Sequence, residues 1–282
     1  MFKLVSRKFL FFILLNWIVG CNPIQQTTIA PTATLIPTSI PSLSVTLTPI
    51  ALDTGWHLIQ PGLEHRLINL YEGQDQWDES LYMVRLNLNQ FRLDVAYHEI
   101  PQSLEDWQTE TKALIVVNGG YFRKEDDKYI PNGLTIVNGE IFGSSYDAYA
   151  GMLAISDHGT ELRWLANQPY DPNESLLAAL QSFPMLVKPG GELGFTEQYE
   201  DSLKARRTVI AQDQDGRILF IVASRGYFTL HQLSVYLTES DLHLDIAINL
   251  DGGPSSGILI ANPQEIIPAQ GLLPVVILAY VR

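Results

Sequence analysis

AINLDGGPSSG, residues 247–257, runs from an apolar stretch into a carboxylate and then into glycine, proline and serine. An apolar run closed by Asp251 and a Gly-Gly pair reads as a buried strand that delivers its carboxylate to a turn. Asp251 then stands beside the bare backbone of Gly252 and Gly253 and the hydroxyls of Ser255 and Ser256. Binding and catalytic corners are built this way, on loops held by rigid strands. The same logic recurs upstream, where the apolar run Ala113–Val117 ends in Asn118-Gly119-Gly120-Tyr121-Phe122.

Around these two strand ends the sequence reads mainly as short strands. Tyr82–Leu88 and Phe91–Tyr97 alternate apolar and polar residues about Asn89-Gln90 and predict a hairpin. Leu134–Val137 and Glu140–Phe142 flank Asn138-Gly139, a pair suited to the positive φ of a type I′ turn. Two further hairpins are expected, Gly151–Ile155 with Glu161–Leu165 and Thr208–Gln212 with Arg217–Ala223. Helices are predicted over Ser103–Thr111, Glu174–Leu180 and Leu230–Leu237, the last with Thr229 as N-cap and Leu230, Leu233 and Leu237 on one face. This pattern predicts an α+β fold, a mixed and largely antiparallel β-sheet core with a few flanking helices.

The N-terminus has a different character. Lys3, Arg7 and Lys8 precede an apolar run, Phe9–Val19, that is too short to span a bilayer and reads as a secretory signal. Ile18-Val19-Gly20-Cys21 resembles the lipobox of bacterial lipoproteins, and Cys21 is the only cysteine in the chain, so it has no internal disulfide partner. Residues 1–20 are therefore expected to be a lipoprotein-type signal peptide, with Cys21 lipidated and the mature protein exported and anchored to the cell envelope. Residues 21–52 carry no charge and alternate threonine with proline, which makes them a linker. Extended at about 3.1 Å per residue, it would hold the domain on the order of 90 Å from its anchor. The globular domain is expected over residues 53–282.

The formal charge is −13 at pH 7 and becomes −16 once the three positive charges of residues 1–20 are removed. Such an acidic domain is a poor partner for nucleic acid. Its six histidines form no close pair at metal-ligand spacing, and the acidic cluster Glu125-Asp126-Asp127 reads as a solvated loop tip, so neither a metal nor a cofactor is expected. An anionic small substrate remains compatible if a local cation meets it. Arg206-Arg207-Thr208 opens a strand at Val209, so one arginine of the pair is free to turn inward while the other stays in water. A guanidinium grips phosphate through two parallel hydrogen bonds. Gln181-Ser182 likewise places polar groups just before an apolar strand.

Taken together, these segments resemble the phosphodiester glycosidase family from about Tyr82 to Arg282. The resemblance rests on Asn118-Gly119-Gly120-Tyr121-Phe122, Pro131-Asn132-Gly133 before the Asn138-Gly139 hairpin, Arg207-Thr208, and Asn249-Leu250-Asp251-Gly252-Gly253, in the family's order. Where the family commonly has a third glycine before its serine, this chain has Pro254, which removes an amide donor. The reaction the resemblance implies is hydrolysis of the bond between a sugar C1 and a phosphodiester oxygen. Ordinary glycosidases use two carboxylates, whereas only Asp251 is well placed here. A phosphomonoester with a conjugate acid of pKa about 6 departs without strong acid help if its charge is met.

On that reading Asp251 acts as base or nucleophile, Arg207 meets the phosphate, and Asn118 orients a sugar hydroxyl or water. Tyr121 offers a ring face and a hydroxyl. Gly119, Gly120, Gly252 and Gly253 supply backbone amides, and Ser182 and Ser255 contact phosphate or sugar. The partners implied are a sugar-phosphodiester or glycan substrate and, through Cys21, a membrane. Two other functions fit the same residues: a glycan-binding envelope lipoprotein without turnover, and a metal-dependent phosphodiesterase using Asp251 with Glu125 to Asp127.

Overall fold

The structure, a computed structural model, describes residues 52–71 and 78–282. The expected signal peptide, Cys21 and the Thr/Pro-rich segment as far as residue 51 lie outside the described residues.

Three sheets enclose the central core. The largest has eight strands in the order His57–Gln60, Leu63–Leu70, Glu79–Leu86, Ile218–Ala223, Arg207–Asp213, Leu244–Asn249, Met185–Lys188 and Glu192–Leu193. A five-stranded sheet runs Gln264–Ile267, Ile258–Ala261, Ile115–Asn118, Leu273–Val281 and Phe91–Gln102. The other five-stranded sheet runs Gly159–Trp164, Gly151–Ser156, Ala178–Ser182, Thr135–Val137 and Glu140–Phe142. The strands alternate their side chains between two apolar layers. Ile246 and Ile248 enter the central core with Val117, Leu180 and Phe220, while Ala247 between them joins the layer under helix Leu230–Glu239. Val116 faces Leu104 and Trp107 of helix Leu104–Thr111. Burial on both faces is why these strands read as near-continuous apolar runs.

Every strand pairing among the described residues is antiparallel. With only two α-helices among those residues, the fold is more β-rich than the expected α+β class, and its sheets are not mixed. One reason is Glu174–Leu180, expected as a helix but formed as a turn leading into strand Ala178–Ser182. There Ala178 and Leu180 face the central core and Ala179 faces the opposite layer, a period of two. The expected hairpin about Asn89-Gln90 is also corrected. Strand Glu79–Leu86 already has neighbours on both edges, so Phe91–Gln102 crosses to another sheet and pairs with Leu273–Val281. The Asn138-Gly139 hairpin forms with φ of 51° and 81° at its turn, and helix Leu230–Glu239 starts at a complete capping box on Thr229 and Gln232.

Candidate active site

Strands from all three sheets end at one place. Strand Leu244–Asn249 lies between Arg207–Asp213 and Met185–Lys188, and Val209 pairs with Asn249. The ladder continues one step, with Leu250 N–H donating to Thr208 O at 2.8 Å. Extending that register by one more residue on each strand sets Asp251 opposite Arg207. From the second sheet, Asn118 closes strand Ile115–Asn118 and Gly119 follows it, and Asp251 N–H donates to Gly119 O at 3.0 Å. The third sheet delivers Ser182 and Phe183. Phe183 O accepts from Asn249 Nδ2 at 3.0 Å, and Asn249 N–H donates to Pro184 O at 3.0 Å.

Asn118 is fully buried and holds the first two ends together. Its Nδ2 donates to Asp251 O at 2.8 Å, and its Oδ1 accepts from Gly257 N–H at 3.0 Å. Both ends of the amide are thus committed to backbone, which makes Asn118 a positioning residue in this geometry.

The Asp251 carboxyl accepts from Gly252 N–H at 2.9 Å and also bonds the Ser255 hydroxyl. Burial pushes its pKa above the ordinary carboxylate range, and the bonds from Ser255 and Gly252 pull against that rise. A carboxylate raised in this way is a stronger base than a solvated one.

Arg207 is 6% exposed and lies beside Gly252, where the close approach that excludes a side chain is that of Arg206 O, 2.9 Å from a Cβ position. The guanidinium Nη1 lies 3.8 Å from where a side chain on Gly252 would begin. Its Nη2 donates to Leu203 O at 2.6 Å, while its Nε has no partner among the described residues. Burial depresses its pKa, with Tyr121, Asp201 and Glu200 opposing, but a guanidinium stays charged throughout the physiological range. Arg206, the other member of the pair, is tied to Ser256 O and Pro268 O, both at 2.9 Å, and braces the loop.

Tyr121 Oη accepts from Asn249 Nδ2 at 2.8 Å, and its ring packs on Phe183 with centroids 4.6 Å apart. Its phenol is pushed well above its ordinary range, first by burial and then by the Asp251 carboxylate, with Arg207 acting in the opposite sense. Ser182 is buried, and its hydroxyl has no partner among the described residues.

Three of the four expected glycine amides are engaged within the protein. Gly119 N–H donates to Val275 O, Gly252 N–H to Asp251, and Gly253 N–H to Arg206 O, at 2.9, 2.9 and 2.8 Å. Glycine at 120 has a packing reason, since a Cβ there would stand 2.9 Å from Gln181 O. Gly253, at φ +57°, opens a single 3-10 turn, Gly253–Ser255. Pro254 occupies the start of that turn, where an N–H has no partner within the turn to lose. Its carbonyl accepts from Gln270 and Gly271 N–H at 2.7 and 3.0 Å.

Tyr146 was not legible in the sequence as part of this site. Gln181 fixes its loop by accepting from Tyr146 N–H at 2.6 Å and donating to Ser145 Oγ at 3.0 Å. The ring contacts Phe183 edge-on, with centroids 5.1 Å apart, and the buried hydroxyl has no partner among the described residues. Burial first, then Tyr149 and Asp251, pushes the phenol up to about 12, with Arg123 opposing. It is therefore a neutral donor at pH 7. Thr208 Oγ1, Asn249 Oδ1 and Ser256 Oγ are also buried at these strand ends without partners among the described residues. Each such atom costs about 1–3 kcal/mol if left unpaired, so a cluster of them marks a place suited to a polar ligand. The Glu125–Asp127 tip lies on the exposed hairpin Phe122–Glu125/Lys128–Pro131, where Glu125 bonds Arg123. Among the described residues no three His, Cys, Asp or Glu side chains gather closely enough to share a metal ion.

The sequence profile of the phosphodiester glycosidases matches residues 111–272, more than half of the chain and all four of its site segments. The chain belongs to the phosphodiester glycosidase family. Its fold is similar to that of the catalytic domain of zebrafish N-acetylglucosamine-1-phosphodiester α-N-acetylglucosaminidase, auto-inhibited by pro-peptide. The TM-score is 0.62 at 18% identity, over 80% of this chain and 86% of that one. A hypothetical protein from Synechocystis shares the fold with a TM-score of 0.54 at 13% identity, over 79% of this chain and 62% of that one. The comparison with curated proteins gives no match. Membership of the family places the chain among the glycosidases that act on phosphodiesters, and the solved structures show the shared fold.

Proposed function

We propose that this phosphodiester glycosidase cleaves the C1–oxygen bond of a sugar-1-phosphodiester. The observation that carries the reading is the register of strands Arg207–Asp213 and Leu244–Asn249, which brings a buried guanidinium and a raised carboxylate to the same sheet end. The Arg207 Nε has no acceptor among the described residues, which suits a cation meant for a ligand. Asp251 either takes a proton from water as that water bonds to C1, or bonds to C1 itself and is released by water afterwards. In both courses the C1–oxygen bond breaks and its electrons leave with the phosphate, whose charge Arg207 meets. Tyr146 and Ser182 are placed to serve as neutral donors to phosphate or sugar oxygens.

The chain is proposed to work outside the cytoplasm, held to a membrane by a lipid on Cys21 and spaced from it by residues 21–52. The basic flank, the short apolar run and the lone cysteine support this. Incorporation of labelled palmitate that persists in Cys21→Ala would refute the anchor.

The test of the reaction is hydrolysis of an α-N-acetylglucosamine-1-phosphodiester in oxygen-18 water. Label in the released sugar supports cleavage at C1, and label in phosphate refutes it. The anomer first formed separates the two courses, since inversion fits Asp251 as base and retention fits it as nucleophile. No release of sugar by the purified, folded chain would leave a binding protein in place of a hydrolase.

A further inference from the structure

The loop that leads into Arg207 is tied to helix Leu230–Glu239 by Glu200. This half-buried carboxylate accepts from His231 N–H through Oε2 at 2.9 Å, and the Thr229 hydroxyl also bonds it. The helix already starts at a complete capping box on Thr229 and Gln232, so these bonds serve the loop more than the helix. Burial pushes the Glu200 carboxyl up, but the bonds from Thr229, His231, Ser202 and Asp201 outweigh it and hold the group below the ordinary carboxylate range. It is charged at pH 7, as suits a group at the N-terminal end of a helix.

From this anchor the chain turns inward. Ser202, at φ +60°, donates its N–H to Glu200 Oε1 at 3.0 Å, and Leu203 N–H donates to Asp201 Oδ1 at 2.9 Å. The Leu203 side chain is 59% exposed, yet its carbonyl accepts from Arg207 Nη2 at 2.6 Å. Residues 201–204 are all exposed, so apolar packing does not hold that carbonyl in place. It hangs between Glu200 and Lys204, whose ammonium stands 4.4 Å from the centroid of the Tyr227 ring.

The backbone of Arg207 is set by other groups. Arg207 pairs with Ala223, and just beyond Ala223 the fully buried Glu79 carboxylate accepts from the N–H groups of Arg225, Gly226 and Tyr227 at 2.7, 3.1 and 3.0 Å. Gly226 packs so closely on the chain before Arg207 that a Cβ there would stand 3.2 Å from Arg206 N. Strand and Glu79 fix where Arg207 begins, but a long side chain with many rotamers separates that backbone from the guanidinium. Leu203 O holds the far end, and Nε is left without a partner among the described residues.

We propose that Glu200 is a positioning residue for Arg207, acting through the Leu203 carbonyl. It keeps the guanidinium in one orientation with Nε free for an anionic oxygen, so the group that meets charge is in place before substrate arrives. The inference rests on the proposed hydrolysis for what Arg207 does, and on the hydrogen bonds alone for what Glu200 does.

Two measurements on the full-length chain keep those questions apart. The first is NMR exchange of the Arg207 Nε–H with water, the resonance being assigned by its loss in Arg207→Lys. In Glu200→Ala that exchange should speed up about 10-fold, while the Arg66 Nε–H, bonded to Asp53 at 2.9 Å, keeps its rate as an internal reference. Unchanged exchange at Arg207, or an equal rise at Arg66, overturns the proposal. The second is kcat/KM for the methyl ester of α-N-acetylglucosamine-1-phosphate. It should fall about 30-fold in Glu200→Ala and only a few-fold in Glu200→Gln, which keeps one acceptor oxygen. Undiminished turnover in Glu200→Ala overturns the role of this positioning in the reaction, whatever the exchange. No hydrolysis by the wild-type chain overturns the hydrolase instead, and the exchange result then decides Glu200. Should Glu200→Ala fail to fold, Glu200→Gln carries both measurements, with exchange at Arg207 raised about 3-fold and the same outcomes overturning the proposal.

Discussion

Asn118→Ala separates a residue that positions the site from one that touches substrate. The buried amide donates to Asp251 O and accepts from Gly257 N–H, so truncation leaves a carbonyl and an N–H unpaired at the join between two sheets. Each unpaired buried group costs about 1–3 kcal/mol, which puts the pair near 4 kcal/mol. At about 2–4 °C per kcal/mol for a domain of this size, Tm should fall by about 8–16 °C. The Asp251 corner also loses its tether, so sugar release from a sugar-1-phosphodiester should fall with it. Calorimetry and turnover on the same preparation provide the check. A variant that melts within about 1 °C of wild type yet has lost activity would refute the tether and restore Asn118 as a substrate contact. Asn118→Asp makes a second probe, because it keeps an acceptor for Gly257 but turns an oxygen toward the Asp251 carbonyl, and it should be destabilised too.

Asp251→Asn should abolish turnover while raising Tm by a few degrees, since the amide keeps an acceptor for Gly252 and removes a half-buried charge. The sign follows from linkage: with its folded pKa raised above the ordinary 3.8, the protonated carboxyl favours the fold at low pH. That contribution is lost as pH rises through the folded value, so the wild type gives up stability over this window and the variant does not; a lower Tm at pH 7 would contradict it. Ser255→Ala removes a bond that holds the Asp251 pKa down, so the acid limb of the kcat/KM profile should move to higher pH; a shift to lower pH would contradict the assignment of that limb to Asp251. Tyr146→Phe deletes a buried hydroxyl without a partner, and should leave Tm unchanged or slightly higher while costing roughly 10-fold in kcat; unaltered kcat would remove Tyr146 from the site.

Local chemistry made several elements readable. Asn138-Gly139 announces its hairpin because few other pairs accept positive φ at both positions, and Thr229 announces a helix because its hydroxyl caps Gln232 N–H. The Asn89-Gln90 turn was misread for a reason no window contains: both edges of Glu79–Leu86 are taken by strands distant in sequence. Glu174–Leu180 was misread because Leu176-Leu177-Ala178-Ala179-Leu180 suits a helix by propensity, whereas two apolar layers require alternation. Tyr146 had no readable signal, since its place in the site depends on Gln181 and Phe183, both distant in sequence.

By itself, the sequence determined that two apolar runs end in polar residues followed by glycine pairs, and that an arginine pair opens a third strand. Buried strands, turns and caps are short-range consequences of side-chain size, charge and φ preference, so they are written locally. Which of those ends share a site was decided by register. Val209 opposite Asn249 brings Arg207 and Asp251 to one sheet end, and the Asn118 amide binds that corner to a different sheet. The tertiary structure also changed what the residues do. Asn118 and three of the four glycine amides are engaged within the protein, while Tyr146 and Phe183 come to the strand ends from segments whose meeting depends on the packing of three sheets.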